Sequence, residues 1–587
     1  ANESLMRAAL WSPPISSAGG LPMAGHFRLL LTRGWPLALA VYLLAAGYAI
    51  HAHGPLPLYS TRSLSVAWEM WLRGEFIVPQ LNGAAYAHKV PLLYWMIHAG
   101  WALGGVSDTW PRVLMLLIGS ANLLLLAWFT RRLQPGAPRA AALAPWLLLG
   151  CAFWFVYSLQ VLFDGLLACW VLLALGALLR GGSATPRPQW WLYSLAVAAG
   201  LLTKGPVMLL HVVPALLLAP WWSASVRAAP GRWYAHGLLA LVVAGALFAL
   251  WLLPALQLGG PAYRGELLWT QTAGRVVRSF DHARPWWWYL AALPVLALPW
   301  LLWPRAWGAL RNASWRADPA LRFLLAWLLS ALLAFSLVSG KQAYYVVPEL
   351  AGFAALLALL LAREGERGRP WLWPFALGLV VLGLVLVLVP RTFVANGSGR
   401  HWLHDLLGGD LVWGAGVSAV GIALWLGGAR DGVHAAIRLA VAMVGMAVLV
   451  HGLFSQALWH DYNLQPTADR LAALQAEGRE VAHLGIYEGQ YQFLGRLRQP
   501  LEPVAPEAAA AWAQDHPEGV IIEVADHLEA SHRAQPLLLQ PFRGEWVEVW
   551  YAMDWRYAHG LGELHKPPHP TEISPRDYDR ARDLGQP

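Results

Sequence analysis

The sequence has little charge and almost no cysteine. Asp, Glu, Lys and Arg make up 13% of its 587 residues, whereas 57% are hydrophobic and the mean hydropathy is +0.44. These proportions exclude a soluble protein of this length and indicate a polytopic membrane protein. The two cysteines, Cys151 and Cys169, lie in apolar runs, so they do not supply a disulfide framework and we expect ordinary buried side chains.

Apolar runs of membrane-spanning length recur along the chain and predict about thirteen transmembrane helices within residues 34–454. The first run covers Pro36–Ala52, and the others lie at roughly 109–130, 139–157, 160–180, 189–203, 206–222, 233–257, 286–304, 320–339, 343–362, 370–390, 409–428 and 433–454.

The arginines orient these spans. Much of the net charge of +8 comes from arginines in alternate short connections, for example Arg131, Arg305 and Arg363. Because cytoplasmic loops are enriched in Arg and Lys, these connections are predicted to be cytoplasmic. We expect residues 1–33 to be a cytoplasmic lead-in without a cleaved signal peptide, and an odd number of spans then places the C-terminal end outside. Since topology explains the positive charge, we predict no nucleic-acid partner.

The composition becomes more charged after about Ser455. A helical pattern and strand-like runs predict a small α/β domain over residues 455–587, which the topology would place in the periplasm. These elements are the helix Thr467–Glu477 and the strands Val481–Ile486, Gly519–Val524 and Trp546–Tyr551. The predicted fold is therefore an all-α polytopic membrane protein with a small C-terminal α/β domain.

The first outer loop, predicted over residues 53–108, places charges among aromatic residues. Within it, Ser63–Gly74 predicts an amphipathic helix that ends at its glycine. Trp68 and Trp71 are typical of a helix that lies in the bilayer interface. The alternative is a surface connector between two spans.

Lysine is scarce, and its positions are informative. Lys89, Lys204 and Lys341 are all predicted to lie on the outer side, against the positive-inside bias. Asp164 is predicted at the outer end of the fourth span, where a carboxylate is costly in hydrocarbon and usually faces the protein interior. Snorkelling to the interface would explain one such lysine alone. Three lysines with a carboxylate favour a shared site that holds the phosphate of a lipid.

Motifs for metals and nucleotides are weak. His401 and His404 have helical spacing but lack a clear third ligand, so we predict no metal site. The sequence has no Walker loop, Rossmann glycine pattern or nucleophile elbow, and we predict no cofactor.

A series of motifs points to a known family. In the first loop they are Thr61-Arg62, Trp68-Glu69-Met70, Gly74 to Pro79, Leu81-Asn82-Gly83, Tyr86, Lys89 and Pro91 to Trp95. Later ones are Leu162-Phe163-Asp164, Leu202 to Pro206, His282 to Trp286 and Lys341 to Pro348. In this order they resemble the bacterial undecaprenyl-phosphate aminoarabinose transferases and related protein-mannosyltransferase-like glycosyltransferases of the GT-C fold.

The resemblance implies a bacterial inner-membrane enzyme that takes a sugar from a polyprenyl (undecaprenyl) phosphate donor. The acceptor stays open: lipid A, another glycan, a hopanoid-like lipid and a protein are all compatible. The donor phosphate would be bound by Lys89, Lys204, Lys341, Tyr345 and Arg275. The sugar or the acceptor would be contacted by Arg62, Tyr86, Tyr344, His282 and Arg284.

The chain departs from this family in the first loop, where the family carries an Asp-Glu pair whose Asp is regarded as catalytic. Tyr59-Ser60 stands at those positions here. Asp164 and Glu69 are then the candidates to assist catalysis, and an acceptor phosphate, already ionised at neutral pH, would need little deprotonation. Two alternatives follow: a protein that binds lipid-linked sugar without turnover, and a transporter of a lipid phosphate.

Overall fold

The structure, a computed structural model, describes residues 34–269, 283–363, 371–395, 407, 409–427, 429, 431–525 and 534–561. This part of the chain is mostly helical and carries a five-stranded sheet near its C-terminal end. The predicted lead-in at residues 1–33 lies outside the described residues.

The helices up to residue 269 are α1 (Gly34–Ala52), α2 (Ser60–Arg73), α3 (Leu92–Gly104), α4 (Thr109–Leu133), α5 (Pro138–Leu149), α6 (Ala152–Ser158), α7 (Phe163–Leu178), α8 (Trp190–Lys204), α9 (Val207–Leu217), α10 (Ala219–Trp222), α11 (Ala224–Ala228), α12 (Pro230–Leu258) and α13 (Gly260–Gly265). They are followed by α14 (Trp288–Leu296), α15 (Pro304–Arg311), α16 (Pro319–Leu337), α17 (Val347–Arg363), α18 (Trp373–Ala395), α19 (Asp410–Leu426) and α20 (Gly432–Leu453).

Each apolar run that the sequence predicts to span contains at least one helix, but the helix lengths differ. Within the described residues, seven helices are long and apolar enough to cross a membrane. The number is eight if α5 and α6, which meet at a bend of 72°, form one span. The apolar helices α7, α9 and α19 are shorter. The chain is thus a multi-pass membrane protein, and the count of thirteen spans stays a prediction.

One predicted span, residues 286–304, is wrong as a single helix. Helix α14 ends at Leu296, and only a 3-10 turn at Trp300–Leu302 follows it. Proline lacks the backbone N–H that continues a helix and clashes with the preceding turn, so Pro294 and Pro299 limit this segment to short pieces. Apolar composition alone overestimated the length of the helix.

Helix α17 occupies the centre of the helical part. Its apolar window is 83% buried inside the protein, whereas that of α18 is only 17% buried. A helix that is apolar on all sides is expected either inside a helix bundle or facing lipid. The burial of α17 fits the first case, and the exposure of α18 fits the second. Tyr344 and Tyr345 lie in the 3-10 turn Ala343–Val346 that leads directly into α17, so the central helix also positions that pair.

The predicted amphipathic helix of the first loop is confirmed as α2, which begins three residues earlier, at Ser60. It ends at Gly74, whose φ of +68° is a left-handed conformation that glycine adopts without strain. A two-stranded hairpin, β1 (Gln80–Leu81) and β2 (Ala84–Ala85), separates α2 from α3.

The tryptophans of α2 contact other parts of the protein. The Trp68 indole donates to Leu497 O at 2.9 Å, and the ring of Trp71 meets the ring of Trp101 edge to face at 6.1 Å. The amphipathic pattern of α2 reflects at least this burial against other parts of the chain. The position of α2 in the bilayer interface stays a prediction.

The C-terminal α/β region, residues 464–561, is built on one mixed sheet. Its strands are β3 (Val481–Leu484), β4 (Glu502–Val504), β5 (Val520–Ala525), β6 (Leu538–Phe542) and β7 (Glu545–Tyr551), in the order β4-β3-β5-β7-β6. β3 is parallel to β4 and β5, while β7 is antiparallel to β5 and β6. The helices of this region are α21 (Gln465–Ala476), α22 (Ala509–Asp515) and α23 (Ala552–Ala558). The predicted helix and three predicted strands are confirmed, whereas β4 and β6 were missed.

The C-terminal α/β region docks on the first loop through a set of specific hydrogen bonds. Ser65 Oγ donates to Gly489 O at 2.6 Å and accepts from Phe493 N at 3.0 Å. The Asn82 amide exchanges two hydrogen bonds with the backbone of Leu501, at 2.7 and 2.8 Å. Together these bonds hold α2 and the hairpin against the C-terminal region.

Gly489 is the tightest backbone position of this contact. Its φ is +79°, and a Cβ atom there would lie 2.7 Å from Leu81 Cδ1. We expect Gly489→Ala to weaken the docked region by about 1–3 kcal/mol, because an L-residue is strained at that φ and the added methyl group crowds Leu81. Gly478→Ala is the matched control, since Gly478 has a φ of +81° with nothing within 4 Å of the added atom. Hydrogen exchange of residues 486–500 measures the effect, and equal losses in the two variants would contradict the contact.

His483 makes the C-terminal region sensitive to acid. The side chain is buried, and burial lowers its pKa to about 4 from the ordinary 6.5. The Gln490 amide accepts from Glu488 N through its oxygen, so its nitrogen donates to His483 Nε2 and keeps that nitrogen unprotonated. The unfolded chain therefore binds a proton below pH 6.5 that the folded chain takes up only near pH 4.

We expect the free energy of unfolding of this region to fall by about 2 kcal/mol between pH 7 and pH 5 because of His483. Hydrogen exchange of strand β3, corrected for the intrinsic effect of pH, measures the change. His483→Gln removes the titration and should lose less stability over the same range. If both proteins lose stability equally, His483 is not the cause.

Candidate functional site

The centre of the candidate site is a buried ion pair between Lys204 and Asp164. The ammonium of Lys204 donates to Asp164 Oδ1, and the two side chains are 8% and 6% exposed. Asp164 is the second residue of α7, and Lys204 is the last residue of α8. A carboxylate at a helix N-terminus and an ammonium at a helix C-terminus are each stabilised by the helix dipole, so both helices support the pair.

Two tyrosines cover the ammonium. Lys204 Nζ lies 4.4 Å from the ring centroid of Tyr345 and 5.5 Å from that of Tyr344. The Tyr344 ring is 6.0 Å from that of Tyr157, which sits on α6. Cation–π contacts of this kind hold an ammonium in place while leaving it hydrogen-bond donors. Tyr157 was not predicted from the sequence, because an aromatic residue inside an apolar run has no distinguishing signal.

Lys89 approaches the same place from the first loop. Its half-buried side chain lies 5.8 Å from the ring of Phe163, the residue directly before Asp164. Tyr86, three residues earlier, packs its ring on His88 at 4.9 Å, and His88 Nε2 contacts Glu266 Oε1 at 2.9 Å. The loop thus brings a second predicted cation, Lys89, to the N-terminal end of α7.

Lys341 and Arg284 lie together, and both make contacts within the protein, while their predicted contacts with a ligand stay predictions. The buried Lys341 ammonium donates to Val338 O at 2.5 Å and to Arg284 O at 3.0 Å. Burial lowers the pKa of Lys341. The exposed guanidinium of Arg284 lies over the ring of Trp288 at 4.9 Å. With two of its three donors on main-chain carbonyls, Lys341 is better suited to position the turn before Tyr344 than to hold a ligand.

Glu69 and Arg62 are engaged by the C-terminal α/β region. Glu69 Oε1 accepts from Gly83 N at 2.7 Å and from Arg73, while Oε2 accepts from the Gln492 amide at 3.2 Å. Arg62 forms an ion pair with Glu488. These contacts favour a structural role for Glu69 at the docking contact, and they leave Asp164 as the stronger candidate for catalysis.

Two predicted residues, Arg275 and His282, lie outside the described residues, so they stay predictions from the sequence. Within the described residues no group of three or more His, Cys, Asp or Glu side chains could hold a metal ion.

Sequence reasoning missed a polar cluster next to the tyrosines. His211 Nδ1 lies 2.7 Å from Glu349 Oε1, which also accepts from the Trp327 indole at 3.2 Å. His211 and Tyr345 pack on the same ring, that of Phe335, at 5.1 and 6.2 Å. An ionisable residue within an apolar run is itself a signal of function. This criterion would have identified His211 and Glu349 from the sequence.

A second missed cluster joins α20 to the end of α1. His53 Nε2 lies 3.2 Å from His451 Nδ1, and the two rings stack at 5.4 Å. Burial lowers the pKa of His53. With Arg112, whose guanidinium donates to His53 O, the pair lines a narrow cavity that also includes Ser60.

This arrangement can stabilise a negative charge that develops beside Lys204. Asp164 engages one of the three ammonium donors, and the other two can point to phosphate oxygens. Groups held in place before the reaction stabilise charge without reorganising, which is the most effective form of electrostatic catalysis. The geometry suits the departure of a phosphate group.

Comparisons with known proteins agree with this chemistry. The family of dolichyl-phosphate-mannose-protein mannosyltransferases matches residues 88–251. An undecaprenyl phosphate-alpha-4-amino-4-deoxy-L-arabinose arabinosyl transferase of Pseudomonas fluorescens is 30% identical over 401 residues, 64% of this chain and 69% of that protein. The transferase of the same name from Erwinia tasmaniensis is 29% identical over 435 residues, 69% of this chain and 76% of that protein.

The fold has solved counterparts. The crystal structure of ArnT from Cupriavidus metallidurans bound to undecaprenyl phosphate is similar with a TM-score of 0.65 at 18% identity, covering 90% of this chain and 98% of that one. Its apo state gives a TM-score of 0.67 at 17% identity, with 92% and 100% covered. These structures share the fold, and the sequence similarity shows that the chain belongs to the family of undecaprenyl phosphate-aminoarabinose arabinosyl transferases.

Proposed function

We propose that the protein is a membrane glycosyltransferase that moves a sugar from a polyprenyl phosphate donor to a lipid or glycan acceptor. The observation that carries this proposal is the buried Lys204–Asp164 pair under Tyr344 and Tyr345. The names of its relatives suggest undecaprenyl phosphate as the carrier and aminoarabinose as the sugar. For the acceptor, lipid A is our proposed example, taken from the resemblance in sequence.

In the proposed reaction, an acceptor oxygen attacks the anomeric carbon in a single displacement, and the bond from that carbon to the phosphate oxygen breaks. The polyprenyl phosphate leaves with the bonding electrons, and Lys204 and Lys89 stabilise the charge that it gains. Asp164 orients the acceptor and takes its proton if the acceptor is a hydroxyl group; a phosphate acceptor is already ionised. The energy is stored in the donor, so no nucleotide is needed.

The topology belongs to the same proposal. We place the protein in the bacterial inner membrane with its N-terminus in the cytoplasm and its C-terminal α/β region in the periplasm, because arginines mark alternate connections. We propose the domain limits that the sequence predicts: a transmembrane domain at residues 34–454 and a periplasmic domain at residues 455–587. The donor chain would lie between spans, and the acceptor would approach from the periplasmic side.

The test uses the full chain in detergent or nanodiscs. Native mass spectrometry should find a polyprenyl phosphate or its glycoside bound to the wild type and reduced in Lys89→Ala. Lys341→Ala should also reduce the amount of bound lipid, because the substitution would disorder the turn before Tyr344. Incubation with a labelled polyprenyl phosphate sugar and lipid A should then give labelled product.

The replacement of the family's Asp-Glu pair by Tyr59-Ser60 favours one second candidate, a protein that binds lipid-linked sugar without turnover. Bound lipid without product from any acceptor tested would support that candidate and contradict the transferase. A flipping assay on the same preparation separates it from a transporter.

A further inference from the structure

A cleft at the C-terminal end of α2 has the chemistry of a saccharide site. It lies where α2 ends against the C-terminal α/β region, and its cavity measures about 170 Å³. Small-molecule sites often lie between packed units of structure. The cleft is lined by Glu69, Leu72, Arg73, Gln492, Arg498 and their neighbours.

Gln492 lines this cleft and has an unused hydrogen-bond acceptor. Its amide nitrogen donates to Glu69 Oε2 at 3.2 Å, which fixes the orientation of the amide because a carboxylate only accepts. The side chain is 3% exposed, and its Oε1 has no hydrogen-bond partner among the described residues. A buried acceptor left unsatisfied is unfavourable, so a ligand that donates a hydroxyl here would gain affinity.

The charge of the cleft is positive. Arg73 donates to Glu69 Oε1 through Nε at 3.0 Å and through a second nitrogen at 2.9 Å, so these two charges balance each other. Arg498 is exposed and has no ion pair or hydrogen bond in the part of the chain that the structure describes. The uncompensated guanidinium favours one anionic group, and its planar fork matches a phosphate or a carboxylate.

Apolar surface completes the site. Leu72 is 38% exposed at the edge of the cleft, and Leu497 and Pro500 lie on the facing wall. A sugar ring offers hydroxyl groups on its edge and C–H groups on its faces, so it can use the Gln492 oxygen and the apolar walls at once. We propose that this cleft binds an anionic saccharide, with its acidic group on Arg498 and a hydroxyl group on Gln492.

The cleft is separate from the Lys204–Asp164 site. Ser60, the first residue of α2, bonds to Gln160 near the start of α7, whereas Arg73, the last residue, borders the cleft. With a rise of 1.5 Å per residue, the two ends of α2 lie about 20 Å apart. The cleft is therefore not part of the proposed transfer reaction. Binding of a saccharide in the cleft does not depend on that reaction.

The experiment measures binding to the full chain in nanodiscs of neutral phosphatidylcholine, by saturation-transfer NMR of glucose 6-phosphate and glucose. Inorganic phosphate is the third probe, and its affinity is measured by its competition with glucose 6-phosphate. Glucose 6-phosphate should bind more tightly than either partial probe. Arg498→Ala should weaken it about tenfold, and Arg498→Lys, which keeps the charge, should weaken it less. Arg543→Ala is the control, because Arg543 is an exposed arginine of the same region that does not line the cleft.

Each other result overturns the proposal. Equal affinity for inorganic phosphate would mean an anion site without sugar recognition. Loss of binding in nanodiscs that contain anionic phosphatidylglycerol would assign the cleft to a lipid headgroup. Binding that Arg498→Ala leaves unchanged would place the sugar elsewhere. Because no donor lipid is present, the outcome is independent of whether the protein transfers a sugar.

Discussion

Lys204→Met is expected to lower sugar transfer by about 10²–10³-fold, the effect of removing one donor that stabilises a developing charge. Methionine keeps the length and the apolar stem of lysine but removes the ammonium. The variant also leaves Asp164 as a buried carboxylate without its partner, which should cost about 3–5 kcal/mol of stability. Transfer from a labelled polyprenyl phosphate sugar and thermal unfolding measure the two effects.

The double variant Lys204→Met/Asp164→Asn separates these effects. It removes both charges, so stability should return close to that of the wild type. Transfer should stay low, since the ammonium that faces the leaving phosphate is still missing. A double variant that regains transfer would mean that Lys204 acts only by compensating Asp164, and its role toward the phosphate would be wrong.

Much of the fold was predictable because its signals are local. Helix α2 ends where Gly74 can adopt a positive φ. Strands β5 and β7 coincide with short runs rich in β-branched and aromatic residues. The broken segment at α14 was predictable too, since Pro294 stands in the sequence, but apolar length was given too much weight. Whether a segment can span a membrane depends on its apolar composition, which can be read directly from the sequence.

The candidate site was predictable only in part, for a physical reason. Lys204 and Asp164 occupy helix ends on the same predicted side, so topology alone brings them near each other. Two partners were not predictable: Arg284 O, which accepts from Lys341, and the Gln492 amide, which donates to Glu69. Both belong to segments far away in sequence. Such contacts depend on how the α/β region docks on α2, which no local pattern encodes.

Asp164→Asn tests the most specific part of the proposed mechanism. Asparagine keeps the size of the side chain and an oxygen that can accept from Lys204, while it removes the negative charge and the ability to take a proton. We expect transfer to fall by about 100-fold, within the range of a lost acid–base group. The donor lipid should stay bound, and bind no more weakly than to the wild type, because the ammonium beside its phosphate is no longer neutralised.

Asp410→Asn is the matched control for this variant. Asp410 is also a buried carboxylate paired with a cation, Arg391, at 2.6 Å, but it lies on α19, away from the tyrosines. A general effect of losing a buried charge would appear in both variants, whereas an effect on chemistry should appear only in Asp164→Asn. If Asp164→Asn transfers sugar within about threefold of the wild type, Asp164 serves only as the counter-ion of Lys204. The proton of a hydroxyl acceptor would then need another base, and an acceptor already ionised at neutral pH would become the stronger hypothesis.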